Sequence, residues 1–105
     1  MVELQGTLAL LILKTLARGP NHGFGIALHI QGVSDGLLRV EEGSLYPALH
    51  RLERDKLVSA AWKVTENRRR ARFYKLTPAG RKWLAKAEGN WDAMAKGVGR
   101  VLRFV

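Results

Sequence analysis

The residues best suited to recognition chemistry lie in the stretch from Val40 to Leu57, VEEGSLYPALHRLERDKL. Its spacing predicts a helix of about four turns, in which positions i, i+3, i+4 and i+7 form one apolar stripe: Leu45, Ala48, Leu49 and Leu52. The opposite side carries Tyr46, Pro47, His50, Arg51 and Arg54. A helix fits the major groove of DNA, and Arg and His donate hydrogen bonds to base edges and phosphates. This side therefore predicts DNA recognition, with a solvated surface helix as the alternative.

No set of residues suits catalysis or metal binding. The chain has no cysteine, and no Ser-His-acid arrangement or phosphate-binding glycine loop can be placed on it. Glu41 and Glu42 are adjacent and project in different directions from a helix. His22 and His29 lack partners at metal-ligand spacing, so we interpret them as structural or surface residues, with phosphate contact as the alternative. We expect a protein that is not an enzyme and needs neither metal nor cofactor.

Length and charge indicate the number of domains and the kind of binding partner. The chain has 105 residues, a formal net charge of +9 and a pI of about 10.7, which suits one small domain that favours nucleic acid or an anionic membrane surface. The early apolar run Leu8 to Leu13 is far shorter than the roughly 20 residues of a membrane span. We expect a soluble, cytoplasmic protein.

Two helices are predicted ahead of the central one. Leu4 to Ala17 is apolar nearly all round, so we expect one side to pack in its own domain and another, with Leu8 and Leu11, to pack against a second subunit. Asn21 can cap a second helix from His22 to about Gln31.

The start of the central helix has two possible readings. Negative charge is favourable at a helix N-terminus but repels phosphate, so we expect DNA contacts from Ser44 onward rather than from Glu41 and Glu42. Pro47 lies about one turn into a helix that begins near Gly43, and a start at Pro47 itself is the alternative.

A β-hairpin with a basic tip follows. Val58 to Val64 and Ala71 to Leu76 alternate in polarity, and the polar loop between them ends in Arg68-Arg69-Arg70. Three adjacent arginines repel one another unless anions are present, which favours a phosphate or minor-groove contact over a solvated loop. Arg72, in the second strand, joins this predicted contact set.

The last helix begins with Thr77 at the N-cap and Pro78 at the first helical position. An apolar seam with alternating spacings of three and four residues then predicts a coiled coil: Leu84, Ala87, Trp91, Met94, Val98, Val101 and Val105. Packing on its own domain or lying on a membrane are the alternatives. Gly89, Gly97 and Gly99 weaken the far half of the helix.

Three segments together resemble the PadR-like family of transcriptional regulators: HGFGIALHI, EGSLYPALHRLERDKLV and RRARFYKLTPAGR. The resemblance covers essentially the whole chain and is closest to the compact branch with a single C-terminal helix. It implies a mainly α fold with a small β-hairpin wing, in which residues 1–76 form a winged helix-turn-helix DNA-binding domain and residues 77–105 a dimerisation helix. It also implies a homodimer that represses promoters.

The resemblance assigns roles to several residues. Tyr46 occupies the position of a family tyrosine that contacts the DNA backbone, and Ser44 and His50 lie on the recognition face. The last helix is expected to pair with the first helix of the other subunit. Trp91 resembles a tryptophan that lines an inter-subunit pore and stacks on planar drugs. Glu41 and the three glycines of the last helix depart from the family pattern.

We therefore expect a sequence-specific transcriptional regulator, a dimeric repressor of pseudo-palindromic operators that a small planar apolar effector relieves. The alternative is a winged-helix module whose basic face binds an acidic protein. The predicted DNA contacts are Ser44, Tyr46, His50, Arg51, Arg54, Arg68, Arg69, Arg70 and Arg72. The predicted dimerisation residues are Leu8, Leu11, Leu84, Ala87, Trp91, Met94, Val98 and Val101, with Trp91 also as the effector contact.

Overall fold

The computed structural model describes residues 7–103, which form four helices and a three-stranded antiparallel sheet. The elements are α1 (Leu8–Leu16), β1 (Asn21–His22), α2 (Gly23–Val33), α3 (Glu42–Arg54), β2 (Val58–Val64), β3 (Arg70–Leu76) and α4 (Pro78–Arg103). The strand order is β1-β3-β2. This is the predicted winged helix. Leu4 and Val105 lie outside the described residues. Within residues 7–103, no helix is long and apolar enough to cross a membrane.

One hydrophobic core joins α1, α2, α3 and the base of the hairpin. The side chains that are almost fully buried at its centre are Ile12, Leu13, Leu16, Ile26, Leu45 and Leu49. Burying an aliphatic side chain of this size stabilises the fold by about 1.5–3 kcal/mol. All four residues of the predicted α3 stripe are buried. One side of α3 is therefore packed in the core, and the opposite side faces solvent.

The start of α2 differs from the prediction. The N-cap is His22 rather than Asn21, because the His22 ring Nδ1 accepts a hydrogen bond from the Gly25 N–H at 3.0 Å. Asn21 instead accepts from the His22 N–H through Oδ1 at 2.9 Å. Asn21 and His22 form β1, an unpredicted strand that pairs with Tyr74 and Phe73 of β3.

The structure decides between the two readings of α3. Glu41 is its N-cap, and the Leu45 N–H already donates to the Glu41 carbonyl at 2.9 Å. Pro47 therefore lies inside the helix, and the alternative start at Pro47 is wrong. α3 ends at Arg54, three residues before the predicted Leu57. Lys56 adopts a left-handed φ of 61° and the Leu57 N–H closes back on the Leu52 carbonyl at 2.9 Å.

The beginning of α4 is tied to the segment that leaves α3. Thr77 Oγ1 accepts from the Gly80 N–H at 3.0 Å, which is the predicted N-cap. The same hydroxyl donates to the Lys56 carbonyl at 2.8 Å, and the Thr77 N–H donates to the Leu57 carbonyl at 3.2 Å. Gly80 packs directly over that Leu57 carbonyl, where a side chain would not fit. This joint, formed by residues 56–57 and 77–80, fixes α4 relative to α3.

The predicted hairpin is formed by β2 and β3, which make up the wing. Val58 pairs with Leu76 and Ala60 with Tyr74 at its buried base, and Trp62 pairs with Arg72 towards the tip. At the tip, the Arg68 N–H donates to the Thr65 carbonyl at 2.9 Å, and Arg68 has a left-handed φ of 58°. The tip of the wing is thus a hydrogen-bonded turn that presents basic side chains.

Candidate nucleic-acid interface

The exposed side of α3, here called the recognition front, consists of Ser44, Tyr46, His50, Arg51 and Arg54, and all five are exposed. Burial of the apolar stripe on the opposite side leaves these groups facing solvent. Arg54 Nε lies 3.4 Å from Asp55 Oδ1, an exposed pair that costs little to break. Within residues 7–103, Arg51 makes no ion pair. The front therefore offers a phenol, an imidazole and two guanidinium groups to a ligand.

Tyr46 is positioned by a glycine at the start of α2. Its ring packs over Gly23 so closely that a Cβ built on Gly23 would lie 2.8 Å from both Tyr46 Cε1 and the hydroxyl oxygen. The first N–H groups of a helix have no partner within that helix and carry a partial positive charge. The Tyr46 hydroxyl and the α2 N-terminus therefore lie together, in an arrangement suited to a phosphate oxygen.

The wing tip carries the predicted arginines in two different environments. Within residues 7–103, Arg68 and Arg69 form no ion pair and are exposed. The Arg70 guanidinium lies over the Trp62 ring, with its carbon 5.2 Å from the ring centroid. Such cation–π contact holds a side chain in place and leaves its N–H donors available.

Arg72 differs from the other predicted DNA contacts because its side chain is partly buried and paired with a carboxylate. Its Nη2 forms an ion pair with Glu53 Oε2 of α3 at 2.5 Å, and the two side chains are only 38% and 32% exposed. Its guanidinium carbon is 5.9 Å from the Trp62 ring centroid. Its Nε is buried and has no hydrogen-bond acceptor within the described part of the chain. The geometry makes Arg72 a link between α3 and the wing.

A cleft of about 320 Å³ separates the start of α2, the front of α3 and the wing. We call it the wing cleft, and its main lining side chains are Phe24, Tyr46, Trp62, Arg70, Arg72 and Tyr74. Its presence shows that the recognition front and the wing are parts of one continuous surface, since Tyr46 and Arg70 line the same space.

Tyr74 lies beneath this surface and is almost fully buried. Burial raises the pKa of the Tyr74 hydroxyl above 10.0, because water no longer solvates the phenolate. The nearby Arg72 charge opposes this effect and lowers the pKa, while Glu53 and Tyr46 raise it.

The predicted dimerisation residues fall into two groups. Leu8 (8% exposed) and Leu84 belong to the chain's own core, while Leu11 and Ala87 are partly buried. Leu8 and Leu84 therefore have little surface left for a partner, whereas Leu11 and Ala87 keep part of theirs. Four seam residues of α4 are exposed: Trp91, Met94, Val98 and Val101. The first turns of α4 lie against α1, where Lys14 Nζ is 3.2 Å from Glu88 Oε1.

The predicted roles of the two N-terminal histidines are borne out by their contacts. His22 caps α2 and packs edge-on against Phe73, with ring centroids 5.2 Å apart. His29 Nδ1 lies 3.3 Å from an Arg18 guanidinium nitrogen. Across residues 7–103, no three His, Cys, Asp or Glu side chains are grouped so as to hold a metal ion.

Three residues of this surface are absent from the sequence prediction: Gly23, Glu53 and Trp62. Gly23 admits Tyr46, Glu53 holds Arg72, and Trp62 supports Arg70. Trp62 carried a signal, since an aromatic residue near the exposed end of a wing strand is a possible contact. The pairs that involve Gly23 and Glu53 are tertiary, and no local pattern identifies them.

A family model described as the transcriptional regulator PadR-like family matches residues 12–86. The chain is 44% identical over 92 residues to an uncharacterized 37.1 kDa protein in a transposon of Streptomyces fradiae, covering 88% of this chain and 24% of that protein. It is 43% identical over 60 residues to a transcriptional regulator of Mycobacterium tuberculosis, covering 57% of this chain and 55% of the relative. The chain thus spans about a quarter and about half of these relatives.

Among solved structures, a transcriptional regulator from Clostridium thermocellum superimposes with a TM-score of 0.84 at 27% identity. The match covers 92% of this chain and 94% of that one. The similarity extends over the winged helix and α4 together.

Proposed function

Because this chain belongs to the PadR-like family of transcriptional regulators, we propose that it binds operator DNA as a homodimer and represses transcription there. The family and the regulators that the chain resembles are not enzymes, and DNA binding follows from the family. Our proposal adds three points: which residues contact the DNA, that the chain forms a dimer, and that it represses transcription.

The observation that carries the proposal is the continuity of the recognition front with the wing. Tyr46 and Arg70 line one cleft, so α3 can enter a major groove while Arg68 and Arg69 reach the adjacent backbone or minor groove. The net charge of +9 supports a polyanionic partner. Ser44, His50, Arg51 and Arg54 complete the proposed contact set. Arg72 acts within it by holding the wing against Glu53.

The exposed α4 seam supports the dimer. Residues 1–76 would form the DNA-binding domain and residues 77–105 the dimerisation helix, with Trp91, Met94, Val98 and Val101 covered by a second copy. Aromatic and aliphatic side chains spaced in a heptad pattern along one helix are typical of such an interface. A two-fold axis then places the half-sites about 34 Å, one helical turn, apart on a pseudo-palindromic operator.

We further propose that a small-molecule effector controls DNA binding. Trp91 would stack on a small planar apolar effector between the subunits, and this binding would release the DNA. Its support is the exposure of Trp91 on the α4 seam.

The test is binding to a labelled duplex from the region upstream of the chain's own gene, beside a scrambled duplex, over a salt series. Tighter binding to the upstream duplex at physiological salt is expected, and Tyr46→Ala and Arg51→Ala should weaken it while the dimer persists. Equal binding to both duplexes that salt abolishes would contradict sequence-specific regulation by that region. An acidic protein partner that displaces short duplex DNA would support the interaction-module alternative.

A further inference from the structure

α4 carries a line of positive charge on the side opposite its apolar seam. We call it the basic stripe, and its cations are Lys82, Lys86, Lys96, Arg100 and Arg103. Successive residues of a helix are rotated by about 100°, which places the basic stripe about 160° around α4 from the seam that carries Trp91 and Met94. All five cations are exposed, and none of them forms an ion pair within residues 7–103.

The two carboxylates of α4 leave the charge of the basic stripe unneutralised. Glu88 is paired with Lys14 of α1 at 3.2 Å. Asp92 lies one turn before Lys96 but forms no ion pair in the described part of the chain. Between the two groups of cations the stripe is open, since a Cβ at Gly89 meets nothing within 4 Å. Like charges three and four residues apart on a helix repel one another, and a bound polyanion relieves that repulsion.

The basic stripe and the recognition front lie on separate surfaces. α1 packs against both α3 and α4, and Leu84 of α4 belongs to the same core as Leu45 and Leu49 of α3. Because each helix turns its buried side towards this core, its polar side faces away from it. In the proposed dimer, a second copy covers the seam of α4 and leaves the basic stripe on the opposite side uncovered.

We propose that the basic stripe binds the phosphate backbone of a second DNA duplex, so that one dimer bridges its operator and another DNA segment. From Lys82 to Arg103 the stripe is about 32 Å long, close to the roughly 34 Å of one turn of duplex. This length suits a duplex better than a small anion. The bridging rests on the proposed function, whereas the stripe itself is complete within one chain.

An anionic membrane is the other extended anionic surface that a basic helix can bind. An interfacial helix buries its apolar side in the lipid while its cations reach the headgroups. In α4 the cations lie about 160° from the seam, so burial of the seam in lipid would turn them towards water. The proposed dimer also covers the seam, which removes the apolar surface that such a helix needs. These two features favour DNA.

The test is capture of a fluorescent duplex of scrambled sequence by operator duplex fixed on beads, with the full-length chain as the link. An excess of operator keeps the recognition fronts occupied, so the scrambled duplex reports on other surfaces. A variant with Lys96→Gln, Arg100→Gln and Arg103→Gln should bind the operator within about twofold of the wild type. Its slope of log capture affinity against log salt should be lower by about 2.7, since each phosphate contact contributes about 0.9. Raising salt from about 50 to 200 mM should therefore weaken capture by the wild type about fortyfold more than capture by the variant.

A matched control removes three positive charges from outside the basic stripe and the proposed operator contacts. It carries Arg39→Gln, Lys56→Gln and Lys75→Gln, all at exposed positions, and its capture slope should equal that of the wild type. Glutamine is close to lysine and arginine in helix propensity, so circular dichroism and sedimentation should show an intact fold and assembly in both variants. Equal slopes for the stripe variant and the wild type, or equal losses in the two triple variants, would overturn the proposal.

Two further measurements separate the possible failures. If the wild type does not prefer the upstream duplex, the proposed function fails for that region, whereas capture between two scrambled duplexes still tests the basic stripe with the same variants. Flotation with vesicles of equal parts phosphatidylglycerol and phosphatidylcholine tests the membrane, and little binding is expected. Vesicle binding that the stripe variant abolishes, without capture of duplex, would assign the stripe to a membrane and refute the proposal.

Discussion

Replacing Gly23 with alanine tests whether the start of α2 positions Tyr46 for DNA. The added Cβ would lie 2.8 Å from Tyr46 Cε1 and from the hydroxyl, and 3.0 Å from Cζ. Because ordinary carbon contacts lie at about 3.5–4.0 Å, the ring must retreat by about 1 Å or turn away. Gly23→Ala therefore displaces the Tyr46 hydroxyl while leaving every proposed DNA-contacting side chain in the sequence.

The size of the effect follows from the bond that is lost. A hydrogen bond to a charged group such as a phosphate contributes about 1.5–3 kcal/mol, so its loss should weaken operator binding by about ten- to a hundredfold. Stability should change much less, because alanine in place of a helical glycine gains up to about 1 kcal/mol, which offsets the displacement of Tyr46.

The assay is fluorescence anisotropy with operator DNA, beside thermal unfolding of the free protein. Gly32→Ala is the matched control in the same helix, since a Cβ at Gly32 meets nothing within 4 Å. It should leave DNA affinity unchanged and raise the free energy of unfolding by up to about 1 kcal/mol.

A double-mutant cycle with Tyr46→Phe makes the reasoning refutable. If Gly23→Ala acts through the Tyr46 hydroxyl, the double variant should bind DNA about as well as Tyr46→Phe alone. Wild-type affinity in Gly23→Ala, combined with a clear loss in Tyr46→Phe, would show that the hydroxyl does not need this position. Additive losses would show that Gly23 acts by another route.

Three further predictions concern the wing, α4 and the core. Replacing Arg68 and Arg69 together with alanine should lower the slope of log affinity against log salt by about 1.8, since each phosphate contact contributes about 0.9; an unchanged slope would remove the wing tip from the contact surface. Met94→Glu should convert the proposed dimer into a monomer in sedimentation experiments, whereas Lys96→Glu, off the seam, should not; a dimeric Met94→Glu would contradict an interface along this seam. The raised Tyr74 pKa predicts that its contribution to stability is complete below pH 10 and is lost as pH rises through the folded-state pKa. Urea unfolding from about pH 9 to 11 should therefore show a smaller decline in Tyr74→Phe than in the wild type, and equal declines would contradict this assignment.

The parts of the fold that were predictable from the sequence are those with local signals. The α3 stripe, the alternating strands of the wing and the Thr77-Pro78 start of α4 each place their periodicity or cap within a few adjacent residues. β1 carried no such signal, because two residues have no periodicity and become a strand only by pairing with β3. That pairing also accompanies the use of His22 rather than Asn21 as the cap of α2.

The site was predictable only in part for the same physical reason. Exposure of the recognition front follows from burial of its opposite side, so its residue types could be read from spacing. The alternation of β3 placed Arg72 on the same face as Arg70, yet it could not reveal Glu53, which lies 19 residues earlier. Likewise, the heptad spacing of α4 does not distinguish residues that face a partner from Leu84, which packs in the chain's own core.

The joint of residues 56–57 and 77–80 makes α4 a lever with one anchored end. α4 also contacts α1 as far as Glu88, so its free arm is residues 89–103, about 22 Å long, and a rotation of about 5° at the base of this arm would move its far end by about 2 Å. Conversely, two copies joined along α4 would hold their two α3 helices at a fixed separation. Tolerance for operators with altered half-site spacing should then depend on Gly80 and Thr77, two residues that touch no DNA in the proposed complex.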